Sequence, residues 1–204
     1  MSKAQAWMLV ALAAGIPLSI QGALYPQNTW LQVGPVIAAL PVFLWALRRC
    51  PVSDAAAGGA CVFLLLHLVA ARWSYSFTPY QDWGRALGLD VNAVLGAQRN
   101  MFDRLIHISF GLLVSPLIAE CAERYGRLSR RWAVMVAVLG VFAVSSLYEI
   151  FEWSLTMTLS PAEAGAYNGE QGDIYDGQKD MACANLAALL MVPVLLFRRL
   201  PRER

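Results

Sequence analysis

Six apolar runs, each long enough to cross a bilayer, constrain this chain more than anything else in it. A helix needs about 20 predominantly apolar residues to span the hydrocarbon core. Such runs fall at about residues 5–24, 29–47, 55–77, 100–122, 132–155 and 181–197. In 204 residues, six spans of about 20 residues leave roughly 80 for connections and tails. No separate soluble domain fits in that remainder. Only 15% of residues are charged, against about 25% in an ordinary soluble domain. The reading is an all-α integral membrane protein: six transmembrane helices in one polytopic bundle covering residues 1–204. The first run, preceded only by Lys3, is longer than a signal-peptide core and lacks a small-x-small cleavage site, so it reads as a retained helix.

Placement of the few charges sets the expected orientation. Lys3, Arg48, Arg49, Arg124, Arg127, Arg130, Arg131, Arg198, Arg199, Arg202 and Arg204 all fall on one side of a six-span topology. Basic residues mark the cytoplasmic side, so both termini are expected there. Trp7, Trp45 and Trp132 fall at inner ends of spans, and Trp30, Trp73 and Trp153 at outer ends, as an interfacial belt requires. The net charge of +2 gives no basic face for nucleic acid.

Acids and histidines collect at the outer ends. His67 lies inside the third run. The fourth begins Asn100-Met-Phe-Asp103-Arg104-Leu-Ile-His107. The fifth finishes Tyr148-Glu149-Ile-Phe-Glu152-Trp153. Asp173, Asp176 and Asp180 precede or open the sixth. Spacings of three and four place Asn100, Asp103 and His107 on one helix face, with Gly111 below them for close helix approach. Ser145, Glu149, Glu152 and Thr156 form a second stripe, and Asp173, Asp176 and Asp180 a third if that helix starts early. Ionisable groups inside a membrane are costly and mark function. Six acids face at most four nearby cations, Arg72, Arg99, Arg104 and Lys179. A divalent transition metal would meet the deficit, and imidazole with carboxylate suits zinc, iron or manganese. Protonated acids or histidines would also meet it.

The metal-ligand candidates are His67, Asp103, His107 and Glu149, with Asp173 and Asp176 as further carboxylates. Glu152 or Asp180 is the candidate general base for an activated water, and Arg104 with Lys179 would hold an anionic headgroup or fix the acids. The leading expectation is a metal-dependent hydrolase or transferase on a lipid or envelope substrate. Two alternatives stand beside it. One is a proton- or cation-coupled transporter, for which Glu120 is the lone second gate. The other is a structural or accessory protein locked by salt bridges. Several signatures are absent: HExxH, Glu-x-x-His, a phosphate-binding glycine loop, Gly-x-Ser-x-Gly and an EF-hand loop. Cys50, Cys61, Cys121 and Cys183 are widely spaced, without a CxxC pair.

The segments Arg99 to His107, Tyr148 to Trp153 and Gln171 to Met181, in that order, resemble the YjdF family of bacterial inner-membrane proteins. His67 with Trp73-Ser-Tyr-Ser-Phe77 resembles an earlier motif of that family, and the likeness covers roughly residues 60–190. Tyr175 and Gly177 depart from it, where Trp and Ala are expected. The resemblance implies a multi-pass inner-membrane protein with a polar, outward-facing site, and it brings no reaction with it.

Overall fold

The computed structural model describes residues 1–198, apart from the side chains of residues 161–163 and 166. Arg199, Arg202 and Arg204 lie outside the described residues. The chain is all-helical there: α1 (Lys3–Ile20), α2 (Pro26–Arg49), α3 (Asp54–Arg72), α4 (Tyr80–Ala86), α5 (Val91–Leu95), α6 (Phe102–Arg124), α7 (Arg130–Thr156), α8 (Pro161–Asn168) and α9 (Asp176–Phe197). Six of them, α1, α2, α3, α6, α7 and α9, are long and apolar enough to cross a membrane. Much of their apolar surface faces outward. Trp7, Leu190 and Phe197, for example, are 72%, 72% and 85% exposed, as lipid-solvated helices require.

Local chemistry sets the helix ends. Ser2 and Gln5 form a capping box at α1, and the Ser2 hydroxyl donates to Asp54 Oδ1 at 2.7 Å. Pro26 opens α2 at a position where its missing N–H costs nothing. Ser53 caps α3 and accepts from Ala56 N. Helix α3 ends at Arg72, five residues before the expected end of the third span. Ser74 and Tyr75 follow with φ of 48° and 57°, a left-handed turn that no α-helix continues through. At the sixth span the difference runs the other way. Helix α9 starts at Asp176, because an acid in the first turn suits the positive end of the helix dipole and cations surround it.

Helix α6 is the centre, packing against α3, α7 and α9, while α1 and α2 pack on α3 from the far side. Glycines bring the backbones together. A Cβ on Gly111 would stand 2.2 Å from the carbonyl oxygen of Ala184 on α9, and one on Gly59 would stand 2.5 Å from that of Leu113 on α6. Only glycine allows such contact. The approach at Gly111 draws the start of α9 onto the face of α6 that carries Asp103 and His107.

The two ends of the bundle differ. One end gathers Lys3, Arg48, Arg49, Arg124, Arg130 and Arg198, and the last three make short polar contacts. Glu120, 1% exposed, accepts from Ser53 N at 2.7 Å, from Ser53 Oγ at 2.6 Å and from Arg124 Nε at 2.8 Å. Arg198 donates to Pro116 O and to Glu123 Oε1, at 3.0 and 3.1 Å. The expected second gate, Glu120, is thus a cap that fixes α3 to α6, since its carboxylate is filled by three donors. The opposite end carries the acid cluster of Asp103, Glu149, Glu152, Asp173, Asp176 and Asp180.

Candidate functional site

At that opposite end, three helices bring side chains to one point. His107 lies five residues into α6, about 8 Å below the helix start. Its Nε2 is 3.6 Å from Asp103 Oδ1 on the same helix, 3.5 Å from Glu149 Oε1 on α7 and 3.9 Å from Asp180 Oδ1 on α9. The i, i+4 spacing sets the first contact, and the close packing at Gly111 sets the last. Asp103, His107 and Asp180 are 4%, 7% and 2% exposed. One ligand atom from each lies within 4.8 Å of the others. Among the described residues, Asp180 Oδ1 and Glu149 Oε1 are buried without a hydrogen-bond partner, a costly state unless something positive sits between them. Tetrahedral coordination with bonds near 2.1 Å places ligand atoms about 3.4 Å apart. The separations around Nε2 are close to that edge, so this group could hold a metal ion.

The neighbouring acids are already balanced. Arg104 Nη2 meets Asp176 Oδ1 at 2.5 Å and Asp173 Oδ2 at 3.6 Å, and Nη1 pairs with Asp180 Oδ2. Arg99 meets Asp176 Oδ1 at 2.7 Å, and Lys179 meets Asp173 Oδ2 at 2.6 Å. The hydrogen bond from Lys179 holds the Asp173 carboxyl below the usual carboxylate range. Asp173 and Asp176 therefore stand in ion pairs rather than beside His107, and Asp180 divides its oxygens between Arg104 and the histidine. Arg72 does not join them. Its guanidinium donates to Leu18 O and stacks over Trp73 at 5.3 Å. Among the described residues the cluster thus holds six acids against three cations, a larger deficit than the four cations in the sequence suggest.

His67 is placed apart. Its Nε2 donates to Gln32 O at 3.0 Å, so Nδ1 is the acceptor for the Tyr75 hydroxyl. Both ring nitrogens are engaged away from the carboxylates. Tyr148 lies within hydrogen-bonding reach of Tyr75, Tyr167 and Glu152, and its ring meets that of His107 edge-on at 6.1 Å. A line of hydroxyls thus joins His67 to Glu152. Burial, followed by the nearby Asp103 charge, pushes the Tyr75 phenol well above its ordinary value, which keeps it a neutral hydrogen-bonding group.

Asn100 stops short of α6. Its Oδ1 accepts from Phe102 N and its amide nitrogen donates to Thr78 O, at 3.0 and 2.8 Å. Periodicity and spacing do not single out Gln32 or Tyr167. An isolated amide within the second apolar run was the signal for Gln32. Tyr167 sits on a short helix with no periodicity to mark it.

Two cavities flank the cluster. One, about 400 Å³, is lined by Glu149, Glu152, Thr156, Asn168 and Gln178 between α7 and α9. The other, about 300 Å³, lies between α2 and α7 over α3 and α6, with His67, Tyr75, His107 and Tyr148 at its back. The family described as "Predicted membrane protein (DUF2238)" matches residues 4–201. The chain is 31% identical over 171 residues to "Inner membrane protein YjdF" of Escherichia coli (strain K12), covering 82% of this chain and 78% of that relative. No solved structure matches the chain.

Proposed function

The chain belongs to the DUF2238 family of membrane proteins, and from that premise we propose a metal-dependent enzyme, of hydrolase or transferase type, acting on a lipid or envelope substrate. We place it in the bacterial inner membrane as one polytopic domain, as the name of its Escherichia coli relative suggests. Both termini would be cytoplasmic and the acid cluster would face the periplasm. The basic residues at the end opposite the cluster support that orientation.

The observation that carries the reading is the convergence of two unpartnered carboxylate oxygens, Asp180 Oδ1 and Glu149 Oε1, on His107 Nε2. In this reading Asp103, His107 and Asp180 hold a divalent transition metal (zinc, iron or manganese) and Glu149 completes the set. A metal there would acidify a water and polarise the reacting group of the substrate. Glu152, in the more polar cavity and tied to Tyr148, takes the proton as general base. Arg104 is a positioning residue that holds Asp180 and Asp176 through paired contacts.

Glu120 counts against the transporter, because three donors fill the carboxylate that would have served as the second gate. The ion pairs of Arg99, Arg104 and Lys179 favour a structural role for that part of the cluster, yet they leave His107 and its facing oxygens unexplained. Elemental analysis of the purified chain is the test. About one transition metal per chain is expected, falling at least about tenfold in Asp103→Asn. Metal-free protein after purification without chelators, with Asp103→Asn and Glu149→Gln both without effect on stability, would refute the reading.

A further inference from the structure

The cavity between α2 and α7 has a feature that the metal group does not use. Its rim is apolar and lies on the flank of two membrane-spanning helices, where Leu31 and Val144 are 40% and 48% exposed. Its back is polar. Gln32 and Ser145 line it at 3% and 2% exposure, and among the described residues neither the Gln32 amide nor the Ser145 hydroxyl has a hydrogen-bond partner. The His107 ring forms part of the same wall, with its Nε2 turned to the carboxylates.

A buried amide with both its nitrogen and its oxygen unmet is expensive in an apolar slot. It calls for an occupant that can both donate and accept, or that offers an acceptor while water fills the rest. The rim faces lipid, because it lies within the spans. Gln32 is six residues below the start of α2, about 9 Å along the helix, the depth at which a lipid's linkage to its chains lies below the headgroup. Pockets that take one extended ligand begin at about 300 Å³, which matches this one.

We infer that the cleft between α2 and α7 is a lateral entrance that seats one hydrocarbon chain of a membrane lipid, with Gln32 and Ser145 reading the ester or other polar linkage at its head. The cleft then presents that head to the His107 side of the cluster, while the cavity between α7 and α9 admits water from the other side. The presentation rests on the metal-site reading above. Occupancy of the cleft does not, since none of Leu31, Gln32, Val144 or Ser145 belongs to the proposed ligand set.

The experiment is photolabelling of the full chain in nanodiscs of phosphatidylethanolamine and phosphatidylglycerol. One probe is a phosphatidylethanolamine with a diazirine in its acyl chain, and the other is a diazirine-bearing alkane. Adducts of the lipid are expected to concentrate on residues 31–39 and 144–151. Val144→Trp, which fills the mouth, is expected to lower them about tenfold. Gln32→Leu keeps the volume and is expected to lower lipid labelling while alkane labelling stays. Labels spread evenly over the outward faces of all six helices, or unchanged in Val144→Trp, would overturn the proposal. So would equal effects of Gln32→Leu on both probes. Metal content of the same samples separates the two readings. Cleft labelling without metal removes the enzyme and leaves the cleft, and metal without cleft labelling removes the cleft alone.

Discussion

Gly177 on α9 makes room for the carboxylate of Glu149 on α7: a Cβ at residue 177 would stand 2.6 Å from Glu149 Oε2. The atom it meets is the far end of a flexible side chain, so the helix need not move. Alanine at this helical position is also favoured over glycine by about 0.5–1 kcal/mol. Gly177→Ala should therefore leave thermal stability equal or slightly raised. It should displace Glu149 from His107 and weaken metal affinity about tenfold. Competition against a chromophoric chelator, read beside a melting curve, checks both.

The two histidines should part company. His107 faces three carboxylates, whereas both nitrogens of His67 are taken by Gln32 O and Tyr75. His107→Ala is expected to lower bound metal at least about tenfold. His67→Gln should leave it near the wild-type level, and so should Tyr75→Phe. Metal-to-protein ratios after gel filtration decide this. Equal loss in both histidine variants would place His67 among the ligands.

Glu120 is predicted to matter for folding and not for chemistry. Removing it in Glu120→Ala takes the acceptor from Ser53 N–H and the Ser53 hydroxyl and breaks the Glu120–Arg124 ion pair. Leaving buried donors unmet costs about 3 kcal/mol. The melting temperature in detergent should fall, while metal content of the folded fraction stays unchanged. The cluster lies about 20–25 Å away along α6, beyond the reach of such a change.

The Lys179–Asp173 pair gives a pH-dependent contribution of known sign. The hydrogen bond from Lys179 lowers the folded-state value of Asp173. The stabilisation is therefore present above the unfolded value of about 3.9 and is lost as pH falls through the lower folded value. Asp173→Asn should melt below wild type at neutral pH, and the gap should close once pH drops below about 4. Melting curves over that range measure it, and a gap that widens on acidification would contradict the assignment.

Much of this protein is written in its sequence. Six apolar runs become six long helices because lipid leaves a backbone no other way to satisfy its polar groups. The stripe of Asp103 and His107 and the stripe of Glu149 and Glu152 follow from helical periodicity alone, as does Gly111 as a point of close approach. Tertiary structure decided what each polar group does. His67 and His107 are both ligand candidates in sequence, and only the turn at Ser74 and Tyr75 folds a hydroxyl back onto His67 and withdraws it from the acids. Asp173, Asp176 and Asp180 share one spacing, yet Arg99, Arg104 and Lys179 claim the first two and leave one oxygen of the third free for His107. Glu120 has Arg124 one turn away on its own helix, and only the fold brings the Ser53 cap of α3 onto it. Periodicity places a side chain on a face of its own helix. Which cation, hydroxyl or carboxylate it meets depends on the approach and rotation of neighbouring helices, and those are set by packing between residues far apart in the chain.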